Sequence, residues 1–304
     1  MSALRLTLRR SRWRYLAAAA IAACLPLAAK AQSSKQWREE NRPIEPFHLI
    51  ANVYYVGASD VTSFLFVTSA GDILLDGGFE QTAPQIEANI QKLGFQLRDV
   101  KILLNSHAHF DHAGGLAELK RRTGAQFVAM DGDADLLARG GRGDFYFGDS
   151  ATFPPVKPDR VIHDGETVSL GDTTLIAHLT SGHTRGDTTW TTTVMDGGNA
   201  YHVVFVGSVS VLDGYRLAGH ISYPGIAEDY ERTFQLLKSL PCDVFLGAHG
   251  SFFGFSAKRA AMLNGAVVNP FIDPSGYRAF VAQGEANFRA VLLKQQAAAA
   301  QVRP

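Results

Sequence analysis

His107, His109, Asp111 and His112 bring three imidazoles and a carboxylate into six positions, in the run Ser106-His107-Ala108-His109-Phe110-Asp111-His112. A structural core has no use for that density of nitrogen and oxygen donors. A polar surface loop whose histidines merely hydrogen-bond is the bland alternative, and the chemistry such a run can do is metal binding. In extended chain His107 and His109 lie on one side, while Asp111 and His112 turn away if a helix begins there, so the run divides into two ligand sets. Zinc takes three or four ligands at about 2.0–2.2 Å, and one loop cannot bring four to one ion, so more must come from distant sequence. Two positions qualify: His183 in Ser181-Gly182-His183-Thr184 and His249 in Gly247-Ala248-His249-Gly250. Each follows an expected strand and stands beside glycine, which permits close backbone approach. His48, His163, His178, His202 and His220 lack that setting and read as structural or surface residues, His178 being the one that could line the same cavity.

Periodicity supplies the elements that must hold these groups. Residues 100–104 form a buried strand running straight into the histidine run, and a helix over 113–122 follows, with Leu116 and Leu119 inward and Gly124 ending it. The cluster therefore lies on a strand-to-helix loop, where helix N-terminal amides can also orient Asp111. Upstream, strands over 52–56, 62–68 and 73–75 include a hairpin turned at Ser69-Ala70-Gly71-Asp72. Asp76 closes it, either as a partner that orients metal ligands or as a turn carboxylate. Pro84 opens a helix to Leu93, and a strand over 126–130 and a helix over 133–138 follow. Gly140, Gly141, Gly143 and Gly148 then interleave with Phe145, Tyr146 and Phe147 up to Phe153-Pro154-Pro155. This loop suits a flap over a ligand, or is tucked onto the core by its aromatics. Strands over 167–170, 173–179, 188–194, 201–206 and 244–246, with helices over 228–239, 257–264 and 274–295, complete an order that suggests two packed sheets with helices outside.

The 304-residue composition, 46% hydrophobic and 19% charged, is that of an ordinary globular chain. Arg5, Arg9, Arg10, Arg12 and Arg14 precede an apolar run over 15–29 that ends in Ala29-Lys30-Ala31, the pattern of a secretory signal peptide cleaved after Ala31. The expected location is the periplasm. Ile21-Ala22-Ala23-Cys24 resembles a lipobox, which would instead anchor a lipoprotein through Cys24, and Arg9-Arg10 hints at twin-arginine export. Removing residues 1–31 takes away six cationic residues and no acidic one, leaving 23 basic against 29 acidic side chains, a net charge of −6. That balance excludes nucleic-acid binding, and two divalent metals would offset four of the charges. Cys24 leaves with the leader or is lipidated, so Cys242 has no intrachain partner and reads as a buried structural thiol.

The pattern His107-x-His109-x-Asp111-His112, followed by His183 and His249, resembles the metallo-β-lactamase superfamily over essentially the whole mature chain. The resemblance implies an αββα sandwich: one domain over 32–304, in two βα halves of roughly 45–190 and 191–295. The motif alone also fits thioesterases of the glyoxalase II kind, lactonases, sulfatases and RNA-processing nucleases. Dinuclear thioesterases and nucleases carry a metal-bridging aspartate at the end of the strand over 203–206, and subclass B1 β-lactamases carry a cysteine there. This chain has Gly207-Ser208-Val209-Ser210, which looks like subclass B3. Leu137-Ala138-Arg139-Gly140-Gly141, Phe147-Gly148-Asp149 and Leu240-Pro241-Cys242-Asp243-Val244 are similar too, although the disulfide that braces some relatives cannot form here. Carried over by position, His107, His109 and His183 would bind one Zn2+ and Asp111, His112 and His249 a second. Attack of a zinc-bound hydroxide on the lactam carbonyl is implied, Asp111 orienting the hydroxide as well as ligating. Ser208, Ser210 and Thr184 would meet the substrate. The implied partner is a β-lactam antibiotic: penicillins, cephalosporins and carbapenems. A monomer is expected, with no obligate protein partner and a membrane only if Cys24 is lipidated. An exported lactonase or thioesterase is the runner-up, and a non-catalytic metal-binding module the third reading.

Overall fold

Short, nearly continuous apolar runs build the first sheet of the chain, whose computed structural model describes residues 35–301. β1 (Phe47–Ile50), β2 (Val53–Tyr55), β3 (Phe64–Thr68) and β4 (Gly71–Leu75) form an antiparallel meander. β5 (Val100–Leu104), β6 (Gln126–Met130) and β7 (Arg160–Ile162) then add in parallel, giving seven strands in sequence order. β8 (Thr167–Leu170), β9 (Thr173–Leu179), β10 (Thr188–Asp196), β11 (Asn199–Val206) and β12 (Val244–Gly247) make the second sheet, ordered β12-β11-β10-β9-β8. The chain changes sheets between Ile162 and Thr167, upstream of the boundary near residue 190 read from sequence.

Parallel strands need crossovers, and helices supply them. α1 (Ala83–Lys92) links β4 to β5; α2 (Phe110–Ala113) and α3 (Leu116–Thr123) link β5 to β6; α4 (Asp131–Ala138) follows β6. α5 (Ile226–Ser239) crosses from β11 to its parallel neighbour β12, and α6 (Phe255–Leu263) and α7 (Pro274–Gln301) finish the described chain. The single helix expected over 113–122 is two pieces. Between them Gly115 N–H donates to the Gly78 carbonyl, and the Gly77 N–H donates to the His112 carbonyl, so the turn after β4 is stitched across the break. β1 and β7, of four and three residues, are not among the strands expected from sequence.

Strands of the first sheet bury both faces. Phe64, Phe66, Ile73, Leu75 and Leu104 point into the layer shared with Trp190, Phe205 and Leu246 of the second sheet, while Leu65, Leu74, Leu103 and Phe127 meet Ile86, Ile90, Leu116 and Leu119 of the helices. On the other sheet Tyr230, Phe234 and Leu237 of α5 pack with Tyr277, Val281 and Phe288 of α7. The architecture is therefore the αββα sandwich that the resemblance implies. The described residues from Asn41 onward cluster as one unit, and the described stretch 35–40 is helical. Cleavage after Ala31 and lipidation of Cys24 lie outside the described residues, among which no helix is long and apolar enough to cross a membrane.

Candidate metal centre

β9 and β11 are each antiparallel to β10, and β12 is parallel to β11, so β9, β11 and β12 end at one edge of the second sheet. There they deliver His183, Ser208 and His249. The end of β5 is tied to that edge by backbone and side chain: Thr188 N–H donates to the Ser106 carbonyl at 2.8 Å and Trp190 Nε1 to the Asn105 carbonyl at 3.1 Å. Thr62 N–H donates to the Ala248 carbonyl at 3.0 Å on the far side. Residues from four strand ends thus meet in one crevice, the place where sheet-based sites form.

Five imidazoles and one carboxylate converge there. The rings of His107, His109 and His183 stand 4.7–4.9 Å apart, and these three side chains can offer nitrogens within 4.8 Å of one another. Nε2 of His112 and Nε2 of His249 are 3.2 Å apart, with Asp111 Oδ2 3.3 Å from the first and 3.5 Å from the second. The His107 and His112 rings, 4.3 Å apart, join the two groups. The structure therefore brings together all six residues that the resemblance implies as ligands; the groups whose ligand atoms lie within 4.8 Å of one another are His107, His109 and His183, and His107, Asp111 and His112, with His249 beside the second through His112 and Asp111.

Protonation separates the sets. Burial, reinforced by neighbouring imidazoles, holds His107 and His183 well below the ordinary histidine range, and burial brings His109 to about 4. These rings are neutral at pH 7 and keep a lone pair for a cation. Burial opposes charge on His112 too, but Asp111 and Asp76 outweigh it and raise His112 to about 10. Burial alone would raise Asp111; the charge on His112 and hydrogen bonds from His112 and His249 hold it well below the carboxylate range. His249 is shifted up, since hydrogen bonds to Asp111 and Asp60 outweigh its burial. A metal ion fits this donor set. His109 Nε2 is buried with no hydrogen-bond partner, an arrangement worth about 1–3 kcal/mol of lost stability unless a cation takes the lone pair. At the second set, a cation would compete with protons for His112 and His249, so metal uptake there is expected to release protons.

Four carboxylates hold the ligating loops, and sequence reasoning singled out one. Asp76, in a left-handed turn at φ 64°, accepts from Ser106 N–H at 2.6 Å and Asn105 Nδ2 at 3.0 Å, while its other oxygen stands 3.6 Å from His112 Nδ1. It is both turn residue and partner of the histidine run. Asp60 Oδ2 meets His249 Nδ1 at 2.9 Å. Asp133 accepts from Ala108 N–H, the Thr184 hydroxyl and Gly186 N–H, so one buried side chain joins the His107–His109 loop to the His183 loop. Asp187 accepts from the Thr180 hydroxyl and Ser208 N–H, with Oδ2 3.7 Å from His107 Nδ1. A Cβ at Gly207 would lie 2.5 Å from Asp187 Oδ1, so the close approach of Asp187 to the end of β11 leaves room only for glycine there. Asp60 stands 189 positions from His249, and no local pattern marks such a pairing.

Other expected residues fall into place differently. Ser208 is buried with Oγ accepting from Ser210 N–H at 3.2 Å, and Ser210, half-buried, offers its carbonyl to His183 Nδ1 at 2.9 Å. Thr184, expected at the substrate rim, is buried and its hydroxyl is donated to Asp133 at 2.7 Å, which leaves it bracing the loop rather than facing a substrate. The 140–155 loop is docked by its aromatics: Phe147 lies edge-on to His109 at 5.1 Å and Phe145 to Tyr215 at 5.2 Å. It covers one side of the crevice. Cys242 is a free, half-buried thiol that burial pushes up to about 12. His178 bonds Thr191 at 2.8 Å in a groove with Thr193 and His202, away from the cluster.

Residues 56–249 match the family described as the Metallo-beta-lactamase superfamily. The chain is similar to the native FEZ-1 metallo-β-lactamase from Legionella gormanii: 44% identity, a TM-score of 0.82, and coverage of 84% of this chain and 98% of that one. The class B3 di-zinc metallo-β-lactamase LRA-12 from an Alaskan soil metagenome is 35% identical with a TM-score of 0.79, over 84% of this chain and 96% of that one. A hydroxyacylglutathione hydrolase of Rhodospirillum rubrum is 30% identical over 104 residues, 34% of this chain; the chain spans about a third, 32%, of that curated relative's length. The chain belongs to the metallo-β-lactamase superfamily, whose members are hydrolases, and its structural likeness is to the B3 enzymes.

Proposed function

We propose that this chain is a zinc-dependent β-lactam hydrolase of the B3 kind, opening the lactam ring of penicillins, cephalosporins and carbapenems and so conferring antibiotic resistance. The observation that carries the reading is the pair of donor sets at one sheet edge with Gly207 and Ser208, and no carboxylate, at the end of β11. His107, His109 and His183 would hold one Zn2+, and Asp111, His112 and His249 the other. Bound there, the two ions would supply Lewis acidity and make water nucleophilic near neutral pH.

The chain's own residues do the rest. Asp111 Oδ2 accepts a hydrogen bond from the attacking water and so directs a lone pair at the lactam carbonyl carbon. Ser210, the more accessible serine, and Ser208, through water, hydrogen-bond the carboxylate of the substrate. Phe147, edge-on to His109, keeps bulk water off that side of the crevice. Export to the periplasm behind a leader cleaved at Ala31, or tethering through Cys24, would place the enzyme where β-lactams act.

A thioesterase reading draws support from the partial likeness to hydroxyacylglutathione hydrolase. The two separate in one comparison of initial rates on a cephalosporin, a lactone and an acylglutathione thioester. Turnover led by the cephalosporin supports the proposal; turnover confined to the thioester or lactone replaces it with the second reading.

A further inference from the structure

The apolar seam of α7 ends on a glutamine. Tyr277, Val281, Gly284, Phe288 and Val291 recur at steps of four and three along one helix face. The next member of that series is Gln295, where an apolar residue would continue the packing. Its amide grips a single loop: Oε1 accepts from Leu217 N–H at 2.6 Å and Ala218 N–H at 3.2 Å, and Nε2 donates to the Tyr215 carbonyl at 2.6 Å.

Tyr215 carries the connection onward. It is buried, its hydroxyl donates to the His183 carbonyl at 2.7 Å, and its ring lies nearly parallel to the His183 ring at 6.1 Å. The same segment holds His183 again upstream, where the Ser210 carbonyl meets His183 Nδ1 and accepts from the Tyr230 hydroxyl. α7 presses on that point too: a Cβ at Gly284 would come within 2.8 Å of Val209 Cγ2. His183 is thus held by a stretch whose two ends both rest on the C-terminal helix, although no residue of α7 touches the cluster.

We propose that Gln295 is a positioning residue for the metal centre: through Leu217, Ala218 and Tyr215 it sets where His183 stands relative to His107 and His109. The proposal rests on reading His183 as a metal ligand. An amide is required because the clamp needs one acceptor for two N–H groups and one donor for a carbonyl. Glutamate keeps the acceptor, loses the donor and sets an anion against the Tyr215 carbonyl; alanine loses both. Gln295 borders an open surface cleft of about 770 Å³ with Arg216, His220 and Ala298, so its truncation leaves no sealed void and the variants fold.

The test is zinc binding by the full mature chain, measured by competition with a chromogenic chelator, in Gln295→Ala, Gln295→Glu, Tyr215→Phe and the Gln295→Ala/Tyr215→Phe pair, each measured well below its own thermal unfolding, where the chain is fully folded. Loss of a partner that orients a metal ligand costs about 10–100-fold in affinity, and one step further removed the expected loss is about tenfold for both single Gln295 variants. The double variant should bind no more weakly than Tyr215→Phe alone, because both changes cut one chain of contacts. Wild-type uptake with Gln295 variants within twofold of it, or losses that multiply in the double variant, overturns the proposal alone. A wild-type chain that takes up no zinc overturns the metal-centre reading and this inference with it.

Discussion

Replacing Asp133 should damage stability and metal affinity together, because one carboxylate ties the two loops that carry His107, His109 and His183. It accepts from Ala108 N–H at 2.8 Å, the Thr184 hydroxyl at 2.7 Å and Gly186 N–H at 2.8 Å, and is 2% exposed. Asp133→Ala leaves three buried donors without acceptors, each worth about 1–3 kcal/mol. Relief from burying the carboxylate, which burial pushes up to about 6, returns part of that, so the net loss is about 3 kcal/mol. In a unit of this size that lowers the melting temperature by about 6–12 °C. Asp133→Asn keeps one acceptor and should fall between. Thermal unfolding in chelator isolates the stability effect, and zinc competition reads the second, an expected affinity loss of about 10–100-fold as the three donors lose their common brace. An alanine variant that melts within about 2 °C of wild type, with zinc affinity within twofold, would refute the reasoning.

Asp111→Ala should lose one of two zinc equivalents and most activity, whereas Ser208→Ala should chiefly raise KM; equal collapse of kcat in both contradicts the roles assigned. Cys242, half-buried with its pKa raised, should react slowly with thiol reagents at pH 8, and modified protein should keep its zinc and activity; zinc release in step with modification would make the thiol a ligand. Burial and the charge of Asp99 push Asp72 up to about 6, so between about pH 4 and 6 the folded chain holds a proton that the unfolded chain has released, and stability falls as pH rises through that window. Asp72→Asn should remove that slope and, after allowance for solvent screening, gain about 1–2 kcal/mol in denaturant unfolding at pH 7.5; an unchanged slope would assign it to another group.

What the sequence made legible was whatever a local pattern encodes. The strand over 100–104 and its histidine run were readable because burial and ligand spacing both act within a dozen residues, and the helices at Ile226–Ser239 and Phe255–Leu263 lie within two residues of their expected spans. The break at Gly114-Gly115 was not readable, since it depends on the turn at Gly77 and Gly78 crossing from β4. Thr184 drew attention by standing beside His183, yet its hydroxyl answers to Asp133, 51 positions away. Asp60, Asp133, Asp187 and Gln295 act over such separations, so a single sequence carries no sign of them.

The central claim is tested most directly by hydrolysis of a chromogenic cephalosporin and a carbapenem by the purified mature chain, before chelation, after it, and after zinc is returned. The account predicts turnover of both, abolished by the chelator and restored by about two zinc equivalents per chain. Turnover that survives complete removal of metal, or its absence with zinc fully loaded, would contradict it.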